Sequence, residues 1–212
     1  MGNLTDTNLA FASVTYHPLA NDTGSDNIIW TSSDQGATGL NGTMLDGSII
    51  EITISPINDA PILHAQDNLY LNAILEDSSP TSGNSWSELR GGAAWTAWED
   101  YDSGDPASIA VIASDNQSLG IWEYSQNGGL TWTSLPNVTV NSALLLDEAT
   151  RFRINLASDA NGSANLSIKA WDQSDSNSVG DFVDTTIGSS FSTNTLVLIQ
   201  NIDAVNDAPF FS

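Results

Sequence analysis

Short apolar runs bounded by Gly, Asn, Asp and Ser recur along the whole chain. Alternation of apolar and polar residues is clearest at 151–156 and at 166–170, within a strand predicted at 165–170, and every second side chain there is apolar. A period of two is typical of a β-strand with one buried face, and β-branched residues favour strands. The same features predict further strands at 11–16, 48–54, 109–113, 121–125 and 195–202.

Helical patterning is weak by comparison. No window keeps an apolar stripe at helical spacing for long, and the best candidate, 142–149, would make about two turns. Many short strands separated by turn residues predict an all-β chain, and in particular an antiparallel Greek-key β-sandwich.

One phrase occurs twice: Asn-Asp-Ala-Pro stands at 58–61 and at 206–209, each time after a run rich in β-branched residues. The repetition indicates a tandem array. We interpret 1–59 as the C-terminal part of one repeat, 60–209 as a second repeat and 210–212 as the start of a third. A plain sandwich needs about 100 residues and the second repeat has about 150, so an added segment is expected.

The chain is strongly acidic: it carries 26 Asp and Glu residues against four Lys and Arg, for a net charge of -22. Twenty of the acids are Asp, which favours loops and turns over helices. Clustered carboxylates repel one another, so a bound cation such as Ca²⁺ or, less specifically, a high salt concentration is expected to neutralise them. No cluster of Lys and Arg occurs, which argues against nucleic acid as a partner.

Motifs of familiar enzymes do not occur in the sequence. There is no cysteine, no Gly-X-Ser-X-Gly and no His-Glu-X-X-His, and His17 and His64 stand alone. A carboxylate pair for glycoside hydrolysis stays an alternative among so many acids, but we predict that the chain is not an enzyme. The apolar runs are too short to cross a membrane, and the first residues lack an export signal, so we expect a fragment of a longer secreted protein.

Residues 125–132 read Ser-Gln-Asn-Gly-Gly-Leu-Thr-Trp. This segment is similar to the Asp-box hairpin of sialidases and other β-propellers, with Asn127 where that motif has Asp. A propeller needs several blades, and this chain has one copy of the motif. We therefore predict a structural hairpin, in which Asn-Gly supplies the left-handed backbone that a tight turn needs.

The order of motifs along the second repeat carries a resemblance to a known family. An acidic phrase at 75–78 is followed by the acidic loop 99–106, the strand at 120–125, Ala-Trp-Asp at 170–172 and the closing linker. In this order they resemble the cadherin-like, immunoglobulin-like repeats of giant bacterial surface proteins, in particular the calcium-dependent adhesins of the RTX type. The resemblance implies a non-catalytic, extracellular module of a cell-surface adhesin that binds Ca²⁺, adjoins neighbouring repeats and does not insert into the membrane.

The resemblance also implies two calcium sites, each built from a linker and acidic loops. Carboxylate and amide oxygens are the ligands that Ca²⁺ prefers. The ligands expected at the first linker are Asn58, Asp59, Asp100, Asp102 and Asp105. The ligands expected at the second linker are Glu76, Asp172, Asp203, Asn206 and Asp207.

Tryptophan is concentrated in the second repeat, where six of the seven lie between 86 and 171. The added segment is expected at 80–98, where Trp86, Trp95 and Trp98 surround Arg90. Exposed rings could form a platform for a host or surface glycan or a pocket for a peptide, and Arg90 could bind a ligand carboxylate. Alternatively, the rings pack in the core and Arg90 pairs with a neighbouring acid.

Three classes of function stay open. We predict a ligand-binding module of an adhesin, with its site between the 86–98 segment and the loop at 100–105. A calcium-stiffened spacer that only extends the adhesin from the cell is the alternative, and a glycan-active enzyme is the third class. Exposed rings beside a cleft favour the first class, whereas buried rings favour the spacer.

Overall fold

The fold is all-β, as the sequence predicts, and its strands form four separate sheets among the described residues. The chain divides into two compact units, Met1–Ile57 and Asn58–Ser212, and the division falls directly before the first Asn-Asp pair. The computed structural model describes residues 14–33, 42–64, 68–91, 98–102, 104–115 and 117–207.

The first unit contains an antiparallel ribbon of two strands, β1 (Gly24–Ser33) and β2 (Leu45–Ile54). Ile29 lies opposite Ile49, and both side chains are exposed. A two-stranded ribbon buries little apolar surface and is marginally stable by itself. The strand predicted at 11–16 lies partly outside the described residues, and its described part is not in a strand.

The larger sheet of the second unit has seven strands. They are β4 (Leu69–Tyr70), β5 (Ile74–Leu75), β8 (Ser108–Ser114), β11 (Ala143–Leu146), β13 (Gly162–Trp171), β14 (Phe182–Val183) and β15 (Leu196–Asp203). Their order is β14-β11-β8-β13-β15-β4, with β5 also paired to β15. The strands predicted at 109–113, 165–170 and 195–202 are confirmed as the long strands β8, β13 and β15.

A second sheet of the same unit has four strands and contains the alternating run at 151–156. Its strands are β6 (Asn84–Ser85), β9 (Gly120–Ser125), β10 (Thr133–Ser134) and β12 (Arg151–Leu156). Their order is β10-β9-β12-β6, and all pairs are antiparallel. Two further short strands, β3 (Ile62–Leu63) and β7 (Trp98–Glu99), pair with each other.

Two pairings depart from the antiparallel arrangement that the sequence predicts. Strands β4 and β5 lie near the start of the second unit and pair in parallel with β15, its last long strand. Parallel neighbours need a long connection. Nearly the whole chain of the unit lies between these strands, so that connection is available.

The main hydrophobic core joins the two larger sheets in one cluster. Val111 and Leu166 come from the seven-stranded sheet, and Trp122, Phe152 and Ile154 come from the four-stranded sheet. All five side chains are buried. Burial of a large apolar side chain stabilises a fold by about 1.5–3 kcal/mol. This shared core therefore holds the two sheets together.

The helical candidate at 142–149 is wrong, because strand β11 lies there. Leu144 and Leu146 belong to the main core, whereas Ala143 and Leu145 belong to a second core cluster on the other face of the sheet. A strand buried on both faces shows no alternation of apolar and polar residues, and its run cannot be told from a helix by periodicity.

A one-turn helix, α1 (Trp86–Leu89), lies in the segment where an addition to the sandwich is expected. The hydroxyl of Ser85 accepts a hydrogen bond from the Glu88 amide, and the Glu88 carboxylate accepts one from the Ser85 amide. This capping box satisfies two amides at the start of the helix. Among the described residues, no helix combines the length and apolar character that crossing a membrane requires.

The segment 125–132 forms the predicted hairpin between β9 and β10. Oγ of Ser125 accepts a hydrogen bond from the Gly129 amide at 2.9 Å. Oδ1 of Asn127 accepts one from the Thr131 amide, also at 2.9 Å. The side chains of the loop thus bond to its own backbone, which is what a structural turn requires.

Candidate metal centre

Three carboxylates meet beside the ends of two central strands of the seven-stranded sheet, β8 and β13. Asp100 and Asp105 lie on the chain that precedes β8, and Asp172 directly follows Trp171, the last residue of β13. Because β8 and β13 are antiparallel, with Trp171 opposite Ser108, the start of one strand lies beside the end of the other. Each carboxylate offers one oxygen, and these three oxygens lie within 4.8 Å of one another.

The three carboxylates are withdrawn from water to different extents. Asp172 is buried, with only 1% of its surface exposed, whereas Asp100 and Asp105 are half-buried. Oδ2 of Asp100 is itself buried and has no hydrogen-bond partner among the described residues. Burying a polar oxygen without a donor costs free energy, and a bound cation would offset that cost.

The electrostatics of the group favour neutralisation. Burial raises the pKa of Asp100, and the hydrogen bond from the Asp102 amide opposes this increase. Repulsion from the Asp172, Asp105 and Asp102 carboxylates raises it further. Burial is also the largest cause of the raised pKa of Asp105, followed by repulsion from Asp172 and Asp102. A bound cation would offset both the cost of burial and the repulsion at Asp100 and Asp105.

The first linker is hydrogen-bonded to this group. The Asp59 amide donates to Oδ2 of Asp102 at 2.7 Å, and the Asp102 amide donates to Oδ1 of Asp100 at 3.0 Å. The side-chain amide of Asn58 donates to Oδ2 of Asp172 at 3.1 Å. The structure thus places the predicted first-linker residues around one point, although the close group of three carboxylates contains neither Asp59 nor Asp102.

The position of Asp172 corrects the sequence prediction, which places this residue at the second linker. Its side chain accepts a hydrogen bond from Asn58 in the first linker and lies close to the carboxylates of Asp100 and Asp105. The physical reason is strand register, since the end of β13 lies beside the start of β8. The phrase Ala-Trp-Asp carries no information about register, so the sequence alone could not reveal this contact.

At the second linker, a buried glutamate takes the central position. Glu76 is 4% exposed, and its Oε1 accepts a hydrogen bond from the Val205 amide at 2.6 Å. Its Oε2 accepts one from the side chain of Asn161 at 2.9 Å. These two bonds, led by the one from Asn161, lower the pKa of Glu76. Glu76 therefore ties the second linker to the turn between β12 and β13.

The other residues predicted at the second linker are more exposed. The backbone carbonyl of Asp203 accepts a hydrogen bond from the Glu76 amide at 2.9 Å. The side chain of Asn206 donates to the carbonyl of Asp207 at 3.3 Å. Asp207 belongs to an exposed acidic group whose members have one oxygen each within 4.8 Å of the others: Asp77, Asp159 and Asp207.

Two members of that exposed group are not predicted from the sequence. Asp77 directly follows Glu76, so its place beside the predicted ligand could have identified it. Asp159 lies on the turn before β13, and the sequence contains no comparable signal for it. Burial raises the pKa of Asp207, followed by repulsion from Asp77, Asp159 and Glu76.

The prediction of an aromatic ligand site is wrong for Trp86. Trp86 is fully buried, and its indole nitrogen donates to the Ala107 carbonyl at 2.8 Å. A buried ring that packs in the core cannot contact a glycan or a peptide. Trp98 is half-buried and packs against the same core, and Trp95 lies outside the described residues.

Arg90 takes the alternative role considered for it. Its guanidinium forms an ion pair with Glu148 at 2.7 Å, and only 14% of the Arg90 side chain is exposed. A guanidinium that is paired and largely covered is poorly placed to bind a ligand carboxylate. The described part of the 86–98 segment therefore offers core packing and an ion pair in place of an aromatic wall.

Comparisons with family models, with curated proteins and with solved structures found no match to this chain. The chemistry of the site thus follows from its own geometry. All of its side-chain donors are oxygens, and one carboxylate is buried at the junction of two strands. Such a set of ligand atoms suits a hard cation.

Proposed function

We propose that this chain is a calcium-dependent structural module of a bacterial surface adhesin, located outside the cell, and that its second unit is a Greek-key, immunoglobulin-like sandwich. The observation that carries the proposal is the group formed by Asp100, Asp105 and Asp172, in which one carboxylate is buried and a second has a buried, unpartnered oxygen among the described residues. The shared core of the two larger sheets supports the sandwich.

Calcium is the cation that this donor set favours. The group offers carboxylate oxygens and contains no histidine or cysteine, the ligands that zinc prefers. Its residues come from two different loops, and Ca²⁺ accepts irregular coordination by six to eight oxygens. Mg²⁺ demands near-ideal octahedral geometry at shorter distances and loses its waters reluctantly.

The bound ion has a mechanical role in this proposal. It links the loop of Asp100 and Asp105 to Asp172 at the end of β13. Hydrogen bonds then connect these residues to Asn58 and Asp59, where the chain enters the second unit. Neutralised carboxylates no longer repel one another, so this entry point becomes stiffer. Stiff entry points are what an array of neighbouring repeats needs to stay extended.

The environments of Trp86 and Arg90 favour a spacer that extends the adhesin over a module that binds a ligand. The ring of Trp86 is buried, and the Arg90 guanidinium is paired with Glu148. Both observations support the spacer over a module that captures a host peptide or glycan. Peptide and glycan arrays probed with the whole chain in Ca²⁺ are expected to give no signal above that in EGTA. Calcium-dependent hits would restore the ligand-binding function.

Thermal unfolding tests the calcium dependence. A ligand that binds only the native state stabilises it by about 2.7 kcal/mol at a hundredfold excess over Kd. For a domain of about 150 residues, each kcal/mol raises Tm by about 2–4 °C. Calcium is therefore expected to raise Tm by several degrees relative to EGTA, and Mg²⁺ at equal ionic strength to raise it much less. Superimposable melting curves in Ca²⁺ and in EGTA would contradict the proposal.

A further inference from the structure

The side chain of Asn58 makes an unusual set of contacts for a residue expected to bind a cation. Its nitrogen, Nδ2, lies 3.1 Å from Oδ2 of Asp172 and 3.1 Å from the carbonyl oxygens of both Asp59 and Ser189. Oγ of Ser189 is 3.3 Å away. These contacts place the amide of Asn58 between the end of β13 and the loop that contains Ser189.

The partners determine which atom of the Asn58 amide faces them. A carboxylate and two backbone carbonyls accept hydrogen bonds and have no proton to donate. An amide oxygen in this position would face three acceptors, so the opposite assignment of the amide is unfavourable. The NH₂ group is the part of Asn58 that contacts Asp172, and its two protons are shared among these oxygens.

Asp172 is held from two sides as a result. The Ser174 amide donates to its Oδ1 at 2.8 Å, and Asn58 donates to its Oδ2. A carboxylate oxygen has two lone pairs, so an oxygen that accepts one hydrogen bond can still bind a cation. Side chains that hydrogen-bond a metal ligand fix its orientation, and their loss typically costs about 10- to 100-fold in metal affinity.

We infer that Asn58 is a positioning residue of the cation centre: it orients the Asp172 carboxylate by donating a hydrogen bond and does not itself bind the cation. This inference rests on the proposed function, because it concerns the same site. It removes Asn58 from the ligand set that the resemblance implies. The first linker is then connected to the cation through Asp172. The connecting hydrogen bond, from Asn58 to Asp172, forms without the cation.

Terbium luminescence of the whole chain tests the inference. Tb³⁺ binds calcium sites made of oxygen ligands, and its lifetimes in H₂O and D₂O report how many waters it coordinates. Loss of a protein ligand admits water, so Asp105→Ala, which removes the side-chain oxygens, is expected to raise that number by about one. Asn58→Ala is expected to weaken Tb³⁺ and Ca²⁺ binding about tenfold or more and to leave the number of bound waters at its wild-type value.

A second variant keeps the test decisive if Asn58→Ala folds poorly by near-UV circular dichroism. Asn58→Asp preserves the size of the side chain and offers oxygens but no N–H donor to Asp172. The inference predicts weaker binding for this variant, whereas a ligand role predicts equal or tighter binding because a carboxylate binds Ca²⁺ better than an amide does.

Each outcome of this experiment has a distinct meaning. An extra bound water in Asn58→Ala, unchanged affinity in that variant, or tighter binding by Asn58→Asp would overturn the positioning role while leaving the calcium site intact. Wild-type protein that binds no Tb³⁺ displaceable by Ca²⁺ would overturn the proposed function itself. Weaker binding by both Asn58 variants, with hydration unchanged in Asn58→Ala, is the result that supports the inference.

Discussion

Neutralising Asp105 is expected to have opposite effects in the presence and absence of calcium. The substitution Asp105→Asn keeps the shape of the side chain and removes its charge. Burial and repulsion are the causes of the raised pKa of Asp105, and no hydrogen bond contributes. The substitution therefore removes a repulsive charge. Among the described residues, no hydrogen-bond donor loses its acceptor as a result.

The expected magnitudes follow from the distances in the group. Two carboxylates about 5 Å apart repel by roughly 1 kcal/mol in water and roughly 3 kcal/mol at an effective dielectric constant of about 20. Asp105 is half-buried, so solvent screening brings the relief closer to about 1 kcal/mol. In EGTA, Asp105→Asn is therefore expected to raise Tm by about 2–4 °C.

In calcium the balance reverses because the neutral amide of the variant binds Ca²⁺ more weakly than the carboxylate does. Wild-type protein at a hundredfold excess of Ca²⁺ over Kd gains about 2.7 kcal/mol, and a hundredfold weaker affinity reduces that gain to about 0.4 kcal/mol. This loss of about 2.3 kcal/mol exceeds the relief of repulsion, so the variant is expected to melt below the wild type in Ca²⁺.

Differential scanning calorimetry of both proteins in Ca²⁺ and in EGTA measures the reversal. The matched control is Asp181→Asn, an identical chemical change at an exposed position where the amide oxygen can still accept the hydrogen bond from the Ser178 amide. The control is expected to shift Tm equally in both buffers. A variant at position 105 that is destabilised to the same extent with and without Ca²⁺ would refute the reasoning.

Three further outcomes are expected. First, the folded state binds protons at Asp100 and Asp105 more tightly than the unfolded state, because their folded pKa values are raised; in EGTA, the advantage of Asp105→Asn over wild type should therefore shrink as pH falls through the raised pKa of Asp105, and an advantage that grows in acid would contradict this sign. Second, Trp86→Ala should cost about 3–5 kcal/mol in denaturant unfolding, because the ring is fully buried, and a nearly neutral result would indicate an exposed ring. Third, Gly83→Ala should lower Tm strongly, because Gly83 has a φ of +61° and an added Cβ would lie 2.2 Å from the Phe152 carbonyl oxygen; an unchanged Tm would show that this turn is not packed as described.

Strand β12, where the alternation in the sequence is clearest, has one face in the core and one outside it. Phe152 and Ile154 are buried, whereas Arg151 and Arg153 are half-buried, so the alternation of apolar and polar residues is visible in the sequence. Strand β11 is the opposite case. Both of its faces pack in hydrophobic clusters, so its run of apolar residues has the same appearance as a short buried helix.

The candidate site was predictable in its local phrases and unpredictable in its long-range pairing. The linker and the loop at 100–105 are each recognisable as short runs of oxygen-bearing residues. The place of Asp172 depends on which strand lies beside β13, and that register is fixed by the packing of the whole sheet. Burial of Trp86 depends on the same packing, because its indole pairs with a carbonyl twenty-one residues away in the chain.

The most direct test of the central claim is a crystal structure of the whole chain grown at saturating Ca²⁺, with anomalous data to identify the ion. The account predicts one ion bound by oxygens of Asp100, Asp105 and Asp172 at about 2.3–2.6 Å, with the Asn58 amide nitrogen still on Asp172. Ordered carboxylates with no anomalous peak among them at that Ca²⁺ concentration would contradict it.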